Sequence, residues 1–216
     1  MRKAYAKAAV AICAMVVLAG CGKENSGGGT KVAASFATPR DAVKTMTEAL
    51  KAQDRDTFLA CFVGTEPEMA LAQVMFDFSR EGGAFRDTMI DRHGQQAWEK
   101  FQDPAGGGAR INLFGGKDPA VWLTTLSFEE EGDTATCADP EESEKLPLVR
   151  ERGQWRVKAA ALAPPKVDPQ QLAGVMRRAA EVVRKYRKRL EEPGVDLAKL
   201  DKEMGREIFK ALTTGE

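Results

Sequence analysis

The sequence predicts an α+β protein in which N-terminal helices pack on an antiparallel sheet and further helices follow at the C-terminus. Three observations predict this class. Apolar residues recur at helical spacing over 38–101, the period changes to strand-like alternation over 122–160, and a helical pattern returns after residue 168. The length of 216 residues suits one domain with an appendage.

Composition excludes several classes of function. The chain has 32 Lys and Arg against 32 Asp and Glu, so its formal net charge is zero. That balance argues against a generally basic nucleic-acid binder, and we expect no nucleic-acid partner. Hydrophobic residues at 43% and charged residues at 30% are ordinary for a folded protein and argue against wholesale disorder.

The N-terminus has the pattern of a secretory signal. Three basic residues precede a short apolar run over 8–18, which is too short to favour a spanning helix. The tetrad Leu18-Ala19-Gly20-Cys21 then resembles the lipobox of bacterial lipoproteins. The resemblance implies a signal peptide over 1–20, cleavage before Cys21 and acylation of that cysteine, with palmitate among the acyl chains. Two or three chains make a stable membrane anchor.

The same resemblance implies a location in the bacterial cell envelope, facing the periplasm. Gly22 stands where Asp would favour retention in the inner membrane, so the outer membrane is favoured. Loss of 1–20 removes three basic residues and leaves 29 basic against 32 acidic, a net charge of −3. Residues 21–37 read as the lipidated cysteine and a flexible Gly/Ser-rich tether.

Four helices are predicted after the tether. Thr38 can cap a helix that starts at Pro39, and Asp54 or Asp56 starts a shorter one. A third opens at 65–68 and is expected to break at Gly82-Gly83, and a fourth covers about 84–101.

The strands follow, and then the helices of a C-terminal extension over 164–216. The predicted strands are 122–128, 134–138, 146–151 and 154–160, with one possible short strand at 110–114. An apolar stripe predicts a long helix: Leu172, Val175, Met176, Ala179, Val183, Tyr186 and Leu190. A last short helix is expected around Leu200 and Ile208.

The stretches 39–43, 49–58 and 148–157 look like the opening and closing of nuclear transport factor 2-like domains, a superfamily that includes SnoaL-like proteins. The resemblance covers about 38–163 and implies a cone in which a curved antiparallel sheet wraps a helix and leaves a pocket. Members include enzymes, binders and scaffolds, so the fold alone does not assign a function.

His93 is the only histidine and the one weak catalytic candidate. It lies on the stripe Phe85–Met89–His93–Ala97–Phe101, and enzymes of this superfold use such residues inside the cone. The alternative is a hydrogen-bonded structural histidine, which is favoured because Asp87 and Asp91 point off the stripe.

Cys61 and Cys137 are the two cysteines left for the mature domain after Cys13 and Cys21. In an oxidising compartment they could form one disulfide, or they could be two separate buried thiols.

No cofactor and no metal site is expected. The glycines at 106–108 and 115–116 fit no phosphate-loop motif, and the acidic turn 129–133 favours a solvated hairpin. The arginines and lysines of 177–189 oppose the apolar stripe, and we expect that helix to dock on its own domain with its basic face in solvent.

The favoured function is therefore a non-enzymatic lipoprotein that binds a small molecule, peptide or envelope protein. Two alternatives stay open. One is a SnoaL-like dehydratase or isomerase that uses His93, and the other is a scaffold that docks through the basic C-terminal helix.

Overall fold

The structure, a computed structural model, describes residues 30–102, 119–140 and 145–213. Several predicted features lie outside the described residues: the signal peptide 1–20, Cys21, the glycine clusters at 106–108 and 115–116, and the possible strand at 110–114.

The described helices and strands follow the order expected of an α+β protein. They are α1 (Pro39–Lys51), α2 (Arg55–Ala60), β1 (Phe62–Val63), α3 (Glu66–His93), α4 (Gln95–Gln102), α5 (Pro119–Thr125), β2 (Ser127–Glu131), β3 (Thr134–Ala138), β4 (Lys145–Glu151), β5 (Gln154–Lys158), a 3₁₀-helix (Ala159–Leu162), α6 (Pro169–Leu190) and α7 (Leu197–Thr213). This order confirms the predicted fold class.

The five strands form one open sheet in the order β1-β5-β4-β3-β2. Strands β2 to β5 are an antiparallel meander, as the alternation predicted. Strand β1 was not predicted, and it makes the sheet mixed because it pairs in parallel with β5. Two residues are too few to show a period of two, so only the tertiary structure reveals this strand.

One face of the sheet carries the core. Phe128, Cys137 and Leu146 lie opposite one another on β2, β3 and β4, and Trp155 and Val157 are buried on β5. Helix α1 packs against β5 on this side of the molecule. Its apolar face lies on the core, since Val43 and Leu50 are buried and Met46 is half-buried.

The remaining helices form a layer built on α3. Helix α6 packs along α3 in the same direction, because Glu81 meets Arg184 and His93 meets Leu190 further along both helices. Helix α7 returns antiparallel to α6, with Glu203 at Arg189. All seven residues of the predicted α6 stripe are buried, which confirms that this helix docks on its own domain.

The break expected at Gly82-Gly83 is wrong. Helix α3 runs unbroken through both glycines and ends at His93, and Gly94 follows with a φ of +85° that favours glycine. A glycine inside a helix costs roughly 1 kcal/mol relative to alanine. Phe78 before the pair and Phe85 after it are both buried in the same core, and this packing outweighs the cost.

The strand predicted over 122–128 is also wrong in its first half. Residues Pro119–Thr125 form helix α5, and the strand begins at Ser127. Arg40 of α1 donates from its guanidinium to the carbonyls of Leu123 and Leu126, at 2.7 and 3.1 Å. These bonds satisfy backbone acceptors where the helix ends, a contact too distant in sequence for a local pattern to reveal.

Other boundaries move by a few residues. Asp54 and not Asp56 caps α2, accepting a bond from the backbone N–H of Thr57 at 3.1 Å. The last strand ends at Lys158 because a 3₁₀-helix follows directly. The last helix, expected to be short, has 17 residues.

Candidate functional site

His93 lies where α3 ends beside the end of α6. Its Nε2 is 3.1 Å from the carbonyl oxygen of Leu190, so the tautomer protonated at Nε2 donates a hydrogen bond to that acceptor. The last carbonyls of a helix have no partner within the helix, and His93 satisfies one of them. This geometry supports the structural interpretation of the histidine.

Glu81, which the sequence analysis did not select, is the most deeply buried acidic side chain of the helical layer. Its side chain is 8% exposed, and its Oε1 accepts two hydrogen bonds from Arg184 at 2.9 and 3.1 Å. Arg187 lies 3.6 Å from the other oxygen. Both bonds are charge-assisted and share the one oxygen, whereas Oε2 is buried without a hydrogen bond. The ion pair locks α6 against α3.

A signal for this pair was present in the sequence. Glu81 follows Phe78 by three residues and precedes Phe85 by four, so a carboxylate interrupts an apolar helical stripe. A buried carboxylate needs a cation or several hydrogen-bond donors, and the arginines of 177–189 were the natural candidates.

The sequence left open whether Cys61 and Cys137 form a disulfide. In the structure both cysteines are free and buried. The fold gives the reason. Cys61 stands directly before β1, Cys137 is on β3, and strands β5 and β4 lie between them. Three strand spacings of about 4.8 Å separate the two positions, far beyond the roughly 4.4–6.8 Å between Cα atoms that a bridge needs.

The environment of these thiols makes them unreactive. Burial raises the pKa of Cys61 to about 12 and that of Cys137 to about 12. The thiolate is the reactive form of cysteine, so neither residue has the character of a nucleophile. The Sγ of Cys61 instead donates to the carbonyl of Thr57.

The predicted tether is docked over its second half. The backbone N–H of Val32 donates to Asp54 at 3.0 Å, and Ser35 exchanges two hydrogen bonds with the Thr45 side chain. The backbone N–H of Trp155 donates to the carbonyl of Phe36 at 2.9 Å. The expectation of a flexible tether up to residue 37 is therefore wrong, because these bonds hold 32–36 on the domain.

Asp54 joins this segment to the cap of α2. The hydrogen bond from Val32 is the largest cause that lowers the pKa of Asp54. Its carboxylate also accepts from the Thr57 hydroxyl at 2.7 Å. One aspartate thus holds both the incoming chain and the second helix.

Most cations of α6 have intramolecular partners. Arg184 and Arg187 meet Glu81, Lys185 donates to Glu207 at 2.7 and 2.8 Å, and Arg189 donates to Glu203 at 2.7 Å. These contacts hold α6 between α3 and α7. The basic face of this helix is thus largely committed to folding the domain.

Tyr186 lies between those ion pairs. It is 1% exposed, its hydroxyl donates to Glu207 at 3.0 Å, and the Arg189 guanidinium lies 4.9 Å from its ring centroid. Burial is the main cause that raises the pKa of Tyr186 to about 12. The hydrogen bond from Lys185 and, to a smaller extent, the one from Tyr186 lower the pKa of Glu207.

Helix α7 presents a different surface. We define the outer face of α7 by its exposed residues Lys199, Lys202, Arg206, Phe209 and Lys210. Phe209 is 62% exposed and is the one large apolar side chain so exposed in the part of the chain that the structure describes. Within that part, Lys202 and Arg206 form no ion pair. No pattern in the sequence distinguished this face.

The acidic turn binds its own strands. Asp133 accepts a hydrogen bond from Arg150 at 2.8 Å, and Lys145 lies 3.5 Å from Glu129. Across 30–102, 119–140 and 145–213, no group of three or more His, Cys, Asp or Glu side chains is placed to hold a metal ion. No helix in the same ranges has the length and apolarity needed to cross a bilayer.

Comparisons with protein-family models, with curated proteins and with solved structures give no match for this chain.

Proposed function

We propose that this chain is a bacterial envelope lipoprotein, anchored through Cys21, whose α+β domain is a non-enzymatic binding module. The observation that carries the anchor is the tetrad Leu18-Ala19-Gly20-Cys21 after a basic and apolar start. The proposed outer-membrane location follows from Gly22.

The docking of Val32 limits the distance between the proposed anchor and the domain. Ten residues lie between Cys21 and Val32, where the described chain first bonds to the domain. The eleven steps from Cα to Cα span at most about 36–40 Å when fully extended. A lipid on Cys21 would therefore keep the domain within about one domain diameter of the membrane.

The binding-module assignment is supported by the place of His93. An enzyme centred on this histidine needs a ring nitrogen that reaches substrate, whereas Nε2 bonds to the Leu190 carbonyl at 3.1 Å. The order of helices followed by an antiparallel meander is that of the nuclear transport factor 2-like domains that residues 38–163 resemble. We propose a small molecule, peptide or envelope protein as the partner.

The anchor is tested with Cys21→Ala in the full chain. We expect the variant to lose palmitate labelling and to remain unprocessed or become soluble on fractionation. Cys13→Ala is the matched control, since it changes a cysteine of the same signal, and it should be labelled and processed like the wild type. If Cys21→Ala is still processed and membrane-bound like the wild type, the lipoprotein assignment is wrong.

The binding assignment is tested with His93→Gln, which keeps a donor for the Leu190 carbonyl. The assay is rescue of whatever defect follows deletion of the gene in its host. A binding module predicts full rescue, because Gln preserves the structural bond. Loss of rescue by a variant that accumulates at the normal level would instead favour the enzyme.

A further inference from the structure

The chain between the lipobox-like tetrad and α1 includes a docked segment, residues 32–36, which we call the strap. Its backbone bonds to three elements: the cap of α2, the helix α1 and the strand β5. Val32 and Phe36 are half-buried against the core, whereas residues 33–35 are exposed. The strap therefore lies on the domain without being enclosed by it.

Two backbone N–H groups of β5 show how the strap relates to the sheet. The N–H of Val157 donates to the carbonyl of Cys61, directly before β1, at 2.8 Å. The N–H of Trp155 points to the same edge of β5 and donates to the carbonyl of Phe36 at 2.9 Å. The strap thus continues the cover that β1 provides along this edge. Because Trp155 is buried, its N–H reaches water only when the strap leaves.

The interactions that hold the strap are nearly balanced by the cost of ordering it. Each hydrogen bond contributes a small net free energy, because the same groups bond to water when they are released. Fixing each residue of the strap costs a conformational free energy of similar size. Within the described part of the chain, four hydrogen bonds and two half-buried side chains hold these five residues.

The direction of the chain favours release from one end. The N-terminal end of the strap leads toward Cys21, so a pull from that side acts first on the bond between Val32 and Asp54. The bonds of Ser35 and Phe36 are loaded only afterwards. Opening from an end, one contact at a time, is the local opening with the lowest free energy in most proteins.

We propose that the strap is a releasable part of the tether, which exchanges between a docked and an undocked state while the rest of the domain stays folded. In the docked state eleven Cα-to-Cα steps join Cys21 to Val32, and in the undocked state seventeen steps join Cys21 to Thr38, the cap of α1. The maximum reach rises from about 36–40 Å to about 56–61 Å. An anchored domain would then meet partners at two distances from the membrane. This consequence rests on the proposed anchor, whereas the undocking itself does not.

The test is amide hydrogen exchange, followed by NMR, on residues 21–216 with Cys21→Ser. The amides of Trp155 and Val157 lie on one edge of β5, but the strap covers the first and the chain next to β1 covers the second. We expect the protection factor of Trp155 to be at least about tenfold lower than that of Val157, because undocking exposes only Trp155. Equal protection would overturn the proposal, since the strap would then open only when the domain unfolds.

A pair of threonine variants on α1 locates the effect. Thr45→Val removes both bonds to Ser35 and keeps the shape of a buried side chain. It should lower the protection factor of Trp155 about 25-fold, about fivefold for each lost bond, or to the unprotected limit. Thr47→Val is the matched control, because this second buried hydroxyl bonds only to a carbonyl of its own helix. The control should leave the ratio of the Trp155 and Val157 protection factors unchanged.

Phe36→Ala tests the strap through its apolar contact. The variant keeps the carbonyl that accepts from Trp155 and removes a half-buried ring, so it should lower the protection factor of Trp155 about tenfold. The proposal is overturned if Thr45→Val and Thr47→Val change the ratio equally, or if neither Thr45→Val nor Phe36→Ala changes it. The lipid on Cys21 is absent from every arm, so the strap and the anchor can fail separately.

Discussion

Helices α6 and α7 are both rich in Lys and Arg, yet the structure uses their charges differently. On α6, Arg184 and Arg187 meet a buried glutamate of α3, and Lys185 and Arg189 meet glutamates of α7. On α7, Lys202 and Arg206 form no ion pair with the part of the chain that the structure describes. The cations of α6 hold the domain together, whereas these two of α7 do not.

The difference shows that the number of basic residues on a helix does not determine their use. What matters is whether a carboxylate on a neighbouring element reaches them. Helix α6 is covered on two sides, by α3 and α7, whereas α7 contacts chiefly α6 among the described residues. Lys202, Arg206 and Phe209 of α7 are therefore exposed.

The largest difference in the free energy of unfolding is expected between variants of the aromatic residues on the two helices. Tyr186→Ala on α6 should lower the free energy of unfolding by about 3–5 kcal/mol, because it empties a fully buried site. Phe209→Ala on α7 should change it by no more than about 0.5 kcal/mol, since the side chain is exposed. Urea unfolding measures both. Equal losses would mean that Phe209 is part of the core.

The next contrast is between arginines. Arg184→Ala leaves the Glu81 carboxylate buried with only Arg187 near it, and we expect a loss of about 1–3 kcal/mol. Arg206→Ala on the outer face of α7 is the matched variant and should lie within about 0.5 kcal/mol of wild type. Thermal unfolding at pH 7 compares the two. A destabilised Arg206→Ala would show that its charge is needed for folding.

The smallest expected effect is the acid sensitivity of the α6–α7 contact. The pKa of Glu207 is lowered, so its stabilisation is fully present above the ordinary carboxyl range and is lost as the pH falls through the lowered value. Glu207→Gln should cost only about 0.5–1 kcal/mol at pH 7, because the side chain is 39% exposed.

At a pH below the lowered pKa of Glu207, the protonated wild type and Glu207→Gln should be about equally stable. The measurement is urea unfolding across the acid range, with Glu191→Gln as the control, since Glu191 is exposed at the end of α6. If the difference in unfolding free energy between Glu207→Gln and wild type does not shrink in acid, the assignment of the Lys185–Glu207 ion pair is contradicted.

Local patterns in the sequence predicted the helices and strands that have strong periodicity. The α6 stripe and the alternation around Trp155 match the structure, because each buries one face against a single core. The failures are at 82–83 and 122–125. At 82–83, the burial of aromatic residues on both sides of the glycines keeps the helix continuous. At 122–125, Arg40 donates to a carbonyl at the end of α5, which no local pattern can indicate.

The functional residues were harder to predict than the fold. His93 could be selected as the only histidine, but its bond to Leu190 depends on a residue 97 positions away. Glu81 was missed although it interrupts an apolar stripe. The outer face of α7 was missed because its distinction from α6 depends on which charges are paired.

The sequence by itself determined the lipobox-like tetrad, the α+β order of elements and the amphipathic faces of the main helices, since these depend on residues close together in the chain. Only the tertiary structure decided that Cys61 and Cys137 are separated by two strands, that β1 joins β5, and which basic residues meet a carboxylate. The physical reason is that pairing energies depend on distance in space, and residues far apart in sequence become neighbours only when the chain folds.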